Sequence, residues 1–223
     1  MDIYQEDVLR WLHILAVVYW LGGEWGVFQS SFNTSNRSLP IEERRRHFET
    51  AYRIDIMARS GIILLLPLGV HMGFNLGAHP WGGEWLVLNW VLGAAWLALA
   101  WAAFIHRYDD LGLKLTMIDE KWRYILIPAL MITSVYSLYT GGPLTMKWYA
   151  GKVFVYSLML VIGLVLRFIM RQRTQMFRKI ELEGNTPALE QRIQNHVRLG
   201  RTLAYFYWIG IMFTAFLGAT KPF

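Results

Sequence analysis

The sequence predicts an all-α fold: a polytopic membrane bundle of about six transmembrane helices that forms a single domain over residues 1–223. Of the 223 residues, 55% are hydrophobic and only 17% are charged. Apolar runs of about 20 residues, the length that crosses a bilayer, alternate with short charged segments along the chain. Eleven tryptophans and eleven tyrosines suit the two membrane interfaces, where amphipathic aromatic side chains accumulate.

Each predicted span follows one apolar run. The six spans are 8–30, 56–76, 85–105, 124–140, 151–170 and 202–220. Two connecting segments, near 38–55 and 171–200, also carry helix signals. Ser38 and Pro40 resemble a helix start before acidic residues, and Thr186 with Pro187 resembles a second start. We therefore expect helical extensions of the bundle at both segments.

The basic residues predict the orientation in the membrane. They lie mainly in the first, third and fifth connections, whereas the second and fourth contain one, Lys147. The positive-inside rule then places the odd connections in the cytoplasm and both termini on the outer, periplasmic side of a bacterial inner membrane. The same asymmetry explains the net charge of +6, so we expect a lipid bilayer as partner and no nucleic acid. A basic collar near anionic headgroups is the favoured interpretation of the extensions, and a docking surface for a partner protein is the alternative.

Two features of composition limit the chemistry and the processing of the chain. There is no cysteine, which excludes disulfides, iron–sulfur clusters and thiolate metal sites. Histidine, lysine, methionine and carboxylates remain as potential ligands. The segment from Met1 to Asp7 is acidic and has no cleavage motif, so we expect no removable signal peptide.

Ionisable side chains inside the apolar runs identify a candidate site. His13 lies in the first span and His71 in the second, each about five residues from the predicted outer end. Lys152 opens the fifth span on the same side, and His79 lies in the adjacent connection. Ionisable groups at membrane depth face the bundle interior and mark functional sites by default. Two inward imidazoles at one depth suit axial ligation of a b-type haem, and neutral imidazole also suits copper or zinc. Alternatively, each histidine hydrogen-bonds across the bundle.

Helical spacing places two further residues of the first span on the stripe of His13. Trp20 and Glu24 share that stripe, so both are expected to face the interior. Glu24 has a depth similar to that of Arg59 on the second span. A Glu24–Arg59 ion pair is the expected way to hold both charges, with a proton relay as the alternative for Glu24.

Two segments resemble a known group of proteins. Arg10-Trp11-Leu12-His13-Ile14, followed by Trp20 and Gly22, resembles the first helix of a loose superfamily of haem-associated membrane proteins. Its members include the small bacterial protoporphyrinogen oxidases, the CopD-type copper-resistance proteins and the membrane domain of bacterial membrane-bound urate oxidases. The segment 148–154, which contains Lys152, resembles a lysine-bearing helix of the first two groups. The resemblance implies haem b bound through His13, with Lys152 near the porphyrin.

These observations predict an integral membrane protein that binds b-type haem and acts in electron transfer or oxidoreduction. The candidate cofactor-binding residues are His13, His71, Lys152 and Trp20, and His13 and His71 are the candidate metal ligands. No catalytic residue is predicted. One alternative is copper handling, with His79 as a third ligand and the methionines as soft contacts. Another is a non-catalytic structural or assembly subunit of a larger membrane complex. A redox partner protein or further membrane subunits are the expected partners.

Overall fold

A computed structural model describes residues 4–222 and confirms the all-α fold. Within that range the chain forms no strand. Its helices are α1 (Gln5–Phe32), α2 (Ile41–Asn75), α3 (Glu84–Ile105), α4 (Asp110–Thr140), α5 (Lys147–Glu183) and α6 (Pro187–Thr220), with a single 3₁₀ turn at Asn33–Ser35. The expectation about a signal peptide concerns a segment whose first three residues lie outside the described residues.

The helices form one closed bundle. Each helix packs against the next along the chain, and α6 returns to pack against α1. The largest fully buried side chains come from four different helices: Trp20 of α1, Ile63 of α2, Leu160 of α5 and Ile211 of α6. Helix α3 lies at the periphery, because only 22% of its most apolar stretch is buried inside the protein. The core therefore lies between α1, α2, α5 and α6.

Four helices, α2, α3, α5 and α6, are long and apolar enough to cross a membrane. Large apolar side chains such as Val87, Ile132 and Ile209 are more than half exposed, as expected for surfaces that face lipid rather than water. Helices α1 and α4 do not reach the same hydropathy within the described residues. The apolar run of α1 is interrupted by His13 and Glu24, and the first half of α4 is charged. Their crossing of the membrane stays a prediction.

The two ends of the bundle differ in charge. We call the end that holds the connections α1–α2, α3–α4 and α5–α6 the basic end, and the opposite end, where Tyr4 and Pro222 lie, the terminal end. Four helices extend beyond the predicted spans at the basic end, namely α2, α4, α5 and α6. The extensions near 38–55 and 171–200 pack together around a separate apolar cluster, and we call these two segments the protrusion. That cluster is formed by Phe48, Met170, Met176, Phe177, Ile180, Leu189, Ile193 and Val197.

The two helix starts that the sequence predicts can be compared with the structure. Thr186 caps α6 as predicted, since its side-chain Oγ1 accepts a hydrogen bond from the Leu189 amide at 3.3 Å. Ser38 does not cap α2, which begins at Ile41 with Pro40 in the cap position.

Helix α4 begins at Asp110, whereas the sequence indicated a loop up to residue 123. The charged first half of α4 is helical because it packs beside the basic half of α5, a tertiary contact that apolar periodicity does not reveal.

Candidate cofactor site

The structure brings two of the predicted site residues together near the terminal end. His13 Nε2 lies 3.4 Å from Lys152 Nζ, although 139 residues separate the two along the chain. Both side chains are half-buried, and no carboxylate forms an ion pair with Lys152 among residues 4–222. An ionised side chain without a counter-charge is costly in such a place.

The second nitrogen of His13 has no partner in the protein. Nδ1 is buried and forms no hydrogen bond with any described residue. A buried polar atom without a partner costs about 1–3 kcal/mol. The pair is therefore incomplete with the protein's own groups alone, whichever ring nitrogen carries the proton.

Neighbouring helices pack closely around the pair. The His13 ring passes beside Gly69 of α2, where a Cβ atom would lie 3.7 Å from Cε1 of the ring. On α6, a Cβ atom at Gly218 would lie 2.5 Å from Lys152 Nζ, so only glycine fits there without displacing the amine. Gly218 therefore leaves room for the Lys152 amine where it meets His13, whereas the contact at Gly69 has ordinary van der Waals spacing.

Tyr149 fixes the position of Lys152, and the sequence did not identify it as a site residue. It lies almost one helical turn before Lys152, and its hydroxyl donates a hydrogen bond to the Gly69 carbonyl at 3.1 Å. Its ring occupies the space beside Gly73, where a Cβ atom would come within 2.6 Å of it. In the sequence, Tyr149 stands out only as part of the 148–154 segment. Aromatic residues at the start of a membrane helix are too common to indicate this hydrogen bond.

His71 has other partners. Its Nδ1 accepts a hydrogen bond from Trp90 Nε1 at 3.2 Å, and its Nε2 lies 3.4 Å from the side-chain amide of Gln5. Because Nδ1 accepts, the proton of the neutral ring lies on Nε2, and we assign the Gln5 oxygen to face it. No hydrogen bond joins His71 to His13 among the described residues. A shared ligand for the two imidazoles stays a prediction.

The other residues singled out in the sequence lie elsewhere. Trp20 is 1% exposed, and its Nε1 donates to the hydroxyl of Tyr207 at 3.1 Å in the core. It lies seven residues, about 10 Å, further along α1 than His13, so it does not contact the His13–Lys152 pair. A cofactor contact for Trp20 stays a prediction.

The expected Glu24–Arg59 ion pair is not formed. Arg59 bonds instead to Asp55, one helical turn before it on α2. Glu24 lines a cavity at the basic end and has no ion-pair partner among residues 4–222. Asp55 lies four residues before Arg59, a spacing at which opposite charges on one helix are neighbours.

His79 has no free nitrogen for a metal. Its Nε2 donates to the Val70 carbonyl at 2.9 Å, and its Nδ1 accepts from the Trp81 amide at 3.3 Å. Burial lowers the pKa of His79, which holds the ring neutral in this arrangement. In the described part of the chain, no three histidine or acidic side chains are grouped as a metal site would require. This arrangement gives no support to a copper site that uses His79.

The comparisons with known protein families, with curated proteins and with solved structures found no match to this chain. The resemblance to haem-associated membrane proteins therefore depends on the residues quoted for it, and it stays a prediction.

Proposed function

We propose that this protein is a membrane-embedded b-type haem protein that acts in electron transfer or oxidoreduction, with His13 as an iron ligand and Lys152 near the porphyrin. The observation that carries the proposal is the His13–Lys152 pair, two nitrogen donors 3.4 Å apart with no carboxylate partner. When bound, the haem supplies one-electron redox chemistry, and the protein supplies ligation and burial.

The donor set fits such a group. Imidazole is a usual protein ligand of haem iron, so His13 would hold the group. Lys152 Nζ lies 3.4 Å from His13 Nε2, so it would lie beside the bound group as a hydrogen-bonding neighbour and not as a second iron ligand. The partnerless Nδ1 of His13 supports the same proposal, since an additional group at the site would account for a buried atom without a hydrogen bond.

The proposal includes a location: a bacterial inner membrane with both termini on the outer, periplasmic side. The asymmetry between the basic and terminal ends supports it through the positive-inside rule. The His13–Lys152 pair then lies in the outer half of the membrane, where a redox partner on that side could exchange electrons with it.

A visible spectrum of the purified protein, combined with metal analysis, separates this function from its alternatives. We expect a Soret band and iron in a ratio to protein near one. Bound copper without a Soret band would instead support copper handling. Absence of both would favour a non-catalytic subunit or assembly role and would contradict the haem proposal.

A further inference from the structure

A second candidate site lies at the basic end, far from His13. A cavity of about 90 Å³ opens between α1, α2, α4, α5 and α6. Two carboxylates, Glu24 and Asp55, face it. The arginines that line it are Arg59, Arg123, Arg167, Arg173 and Arg201.

Two of the arginines donate hydrogen bonds to acidic partners. Arg59 pairs with Asp55 on its own helix. Arg123 Nε donates to Asp119 Oδ2 at 3.1 Å, and Asp119 Oδ1 accepts from Trp96 Nε1 at 2.6 Å. Asp119 is fully buried, and each of its oxygens already accepts one of these hydrogen bonds.

Two deeply buried arginines of α5 keep unused donors. Arg167 is 7% exposed; its Nε lies 3.2 Å from Asp119 Oδ2 outside hydrogen-bonding geometry, and its Nη1 has no partner. Arg173 is 3% exposed and donates through Nη2 to Thr34 Oγ1, but its Nε has no partner. Buried guanidinium donors of this kind are costly unless something accepts from them.

Arg201 of α6 is the last of the five arginines that line the cavity, and it lies at the cavity's entrance. Its guanidinium stacks over Phe32, 4.6 Å from the ring centroid, and it forms no ion pair among the described residues. Arg201 also lines an adjoining open groove of about 390 Å³ beside Arg198. The groove gives a solute or a lipid headgroup a route to the cavity.

The charges around the cavity do not balance. Five guanidinium groups face the two lining carboxylates, and Asp119 behind them is the third acid, which leaves a surplus of two positive charges. The unused donors come from two turns of α5 and from α6, so they approach from different directions. A planar carboxylate accepts hydrogen bonds mainly in one plane, whereas a phosphate group accepts hydrogen bonds from several directions.

We propose that this cavity binds a phosphate group through Arg167, Arg173 and Arg201. The phosphate comes either from an anionic lipid headgroup or from a free phosphate compound. The cavity's position at the end of the apolar helices suits a lipid phosphate, because basic pockets between membrane helices bind such headgroups. This inference is independent of haem, since the cavity shares no residue with the His13–Lys152 pair.

The test uses the delipidated full-length protein in detergent. Thermal unfolding is measured with inorganic phosphate against chloride at equal ionic strength. Native mass spectrometry then records adducts with cardiolipin or phosphatidylglycerol against phosphatidylcholine. The variant is Arg201→Gln, which removes a guanidinium without breaking an ion pair. The matched control is Arg192→Gln, an exposed arginine of the same helix that lines neither cavity.

We expect phosphate or an anionic lipid to bind the wild type, and Arg201→Gln to weaken that binding about tenfold, since a charged hydrogen bond is lost. Arg192→Gln should bind as the wild type does. Stabilisation by phosphate alone identifies a free phosphate compound, and stabilisation by anionic lipid alone identifies a headgroup. The proposal is overturned if neither binds, or if Arg192→Gln loses as much affinity as Arg201→Gln.

Discussion

At the scale of single residues, the distinctive feature is an amine and an imidazole in contact without a carboxylate. His13 and Lys152 come from the first and fifth helices, and Tyr149 fixes the register between α5 and α2 that lets them meet. His71, by contrast, has both ring nitrogens engaged by Trp90 and Gln5. His13 and His71 are equivalent candidates in the sequence, but in the structure only His13 of the two has a ring nitrogen without a hydrogen-bond partner among the described residues.

This separation predicts different spectra for two variants. Lys152→Leu removes a nitrogen 3.4 Å from His13 Nε2, so the Soret band of the haem-loaded protein should shift while haem is retained through His13. His71→Ala should leave the band nearly unchanged, because the His71 nitrogens are already hydrogen-bonded. Visible spectra of both purified proteins provide the measurement. A large change for His71→Ala with none for Lys152→Leu would instead indicate ligation by two histidines.

At the scale of helices, the α1–α2 contact sets the position of His13. A Cβ atom at Gly61 would lie 2.5 Å from the Ala16 carbonyl oxygen and 2.9 Å from the Trp20 amide nitrogen, so the two backbones touch there. Further along α1, Gly23 packs closely on Ala58. Gly22, the residue before it, differs: a Cβ atom there would meet no other atom within 4 Å.

Gly61 and Gly22 provide a matched pair of substitutions. Gly61→Ala should destabilise the protein by about 1–3 kcal/mol, because the new methyl group meets backbone atoms that cannot give way. Gly22→Ala meets open space and should be neutral or slightly stabilising, since alanine is favoured over glycine in a helix by about 1 kcal/mol. Midpoints of thermal unfolding in detergent compare the two. Equal midpoints would mean that α1 and α2 are not packed as described.

A buried ion pair holds the protrusion together. Arg44 of α2 bonds Glu190 of α6 through both oxygens, at 2.6 and 2.9 Å, and the side chains are 3% and 10% exposed. Arg44 holds the pKa of Glu190 below its usual value of 4.5. The stability from this shift is present above that value and is lost as pH falls through the lower pKa of the folded state.

Breaking the pair should therefore open the protrusion. We expect Arg44→Gln to cost about 3–5 kcal/mol, because it leaves a buried carboxylate without its partner. Arg45→Gln is the control, since Arg45 and Glu181 are both more than half exposed and such pairs contribute about 0–1 kcal/mol. Limited proteolysis at the exposed turn around Gly184 reports the opening at pH 7. Acidification towards pH 3 should accelerate cleavage of the Arg45→Gln protein more than that of Arg44→Gln. Equal protection of both variants at pH 7 would contradict this account.

At the scale of the whole molecule, the sequence predicted the number and order of the helices but not their pairings. Apolar runs and the Thr186 cap placed the helices, because both signals are local. The charged half of α4 and the Glu24 partner were missed, since each depends on which helices become neighbours. The His13–Lys152 contact was anticipated only as a shared depth. Its geometry depends on Gly218, whose close contact with Lys152 appears only in three dimensions.

The arrangement of the ends predicts a definite topology. Sites at residues 40 and 190 both lie in the protrusion and should be inaccessible from outside intact cells, because the proposed orientation places the basic end in the cytoplasm. Reporter fusions after residues 40 and 222 measure this on opposite ends of the bundle. A reporter at 222 should be active only outside, and one at 40 only inside. Both reporters active on one side would show that α4, which lies between the two sites, does not cross the membrane.

The proposed haem site is tested most directly by the ratio of haem to protein in purified His13→Ala. Alanine is well tolerated in a helix, so the variant should still insert and fold. With the imidazole gone, and with no cysteine in the sequence to replace it, the ratio should fall sharply from its wild-type value. His47→Ala, at the basic end, should retain the wild-type ratio. A full haem complement in His13→Ala would contradict the proposed ligand.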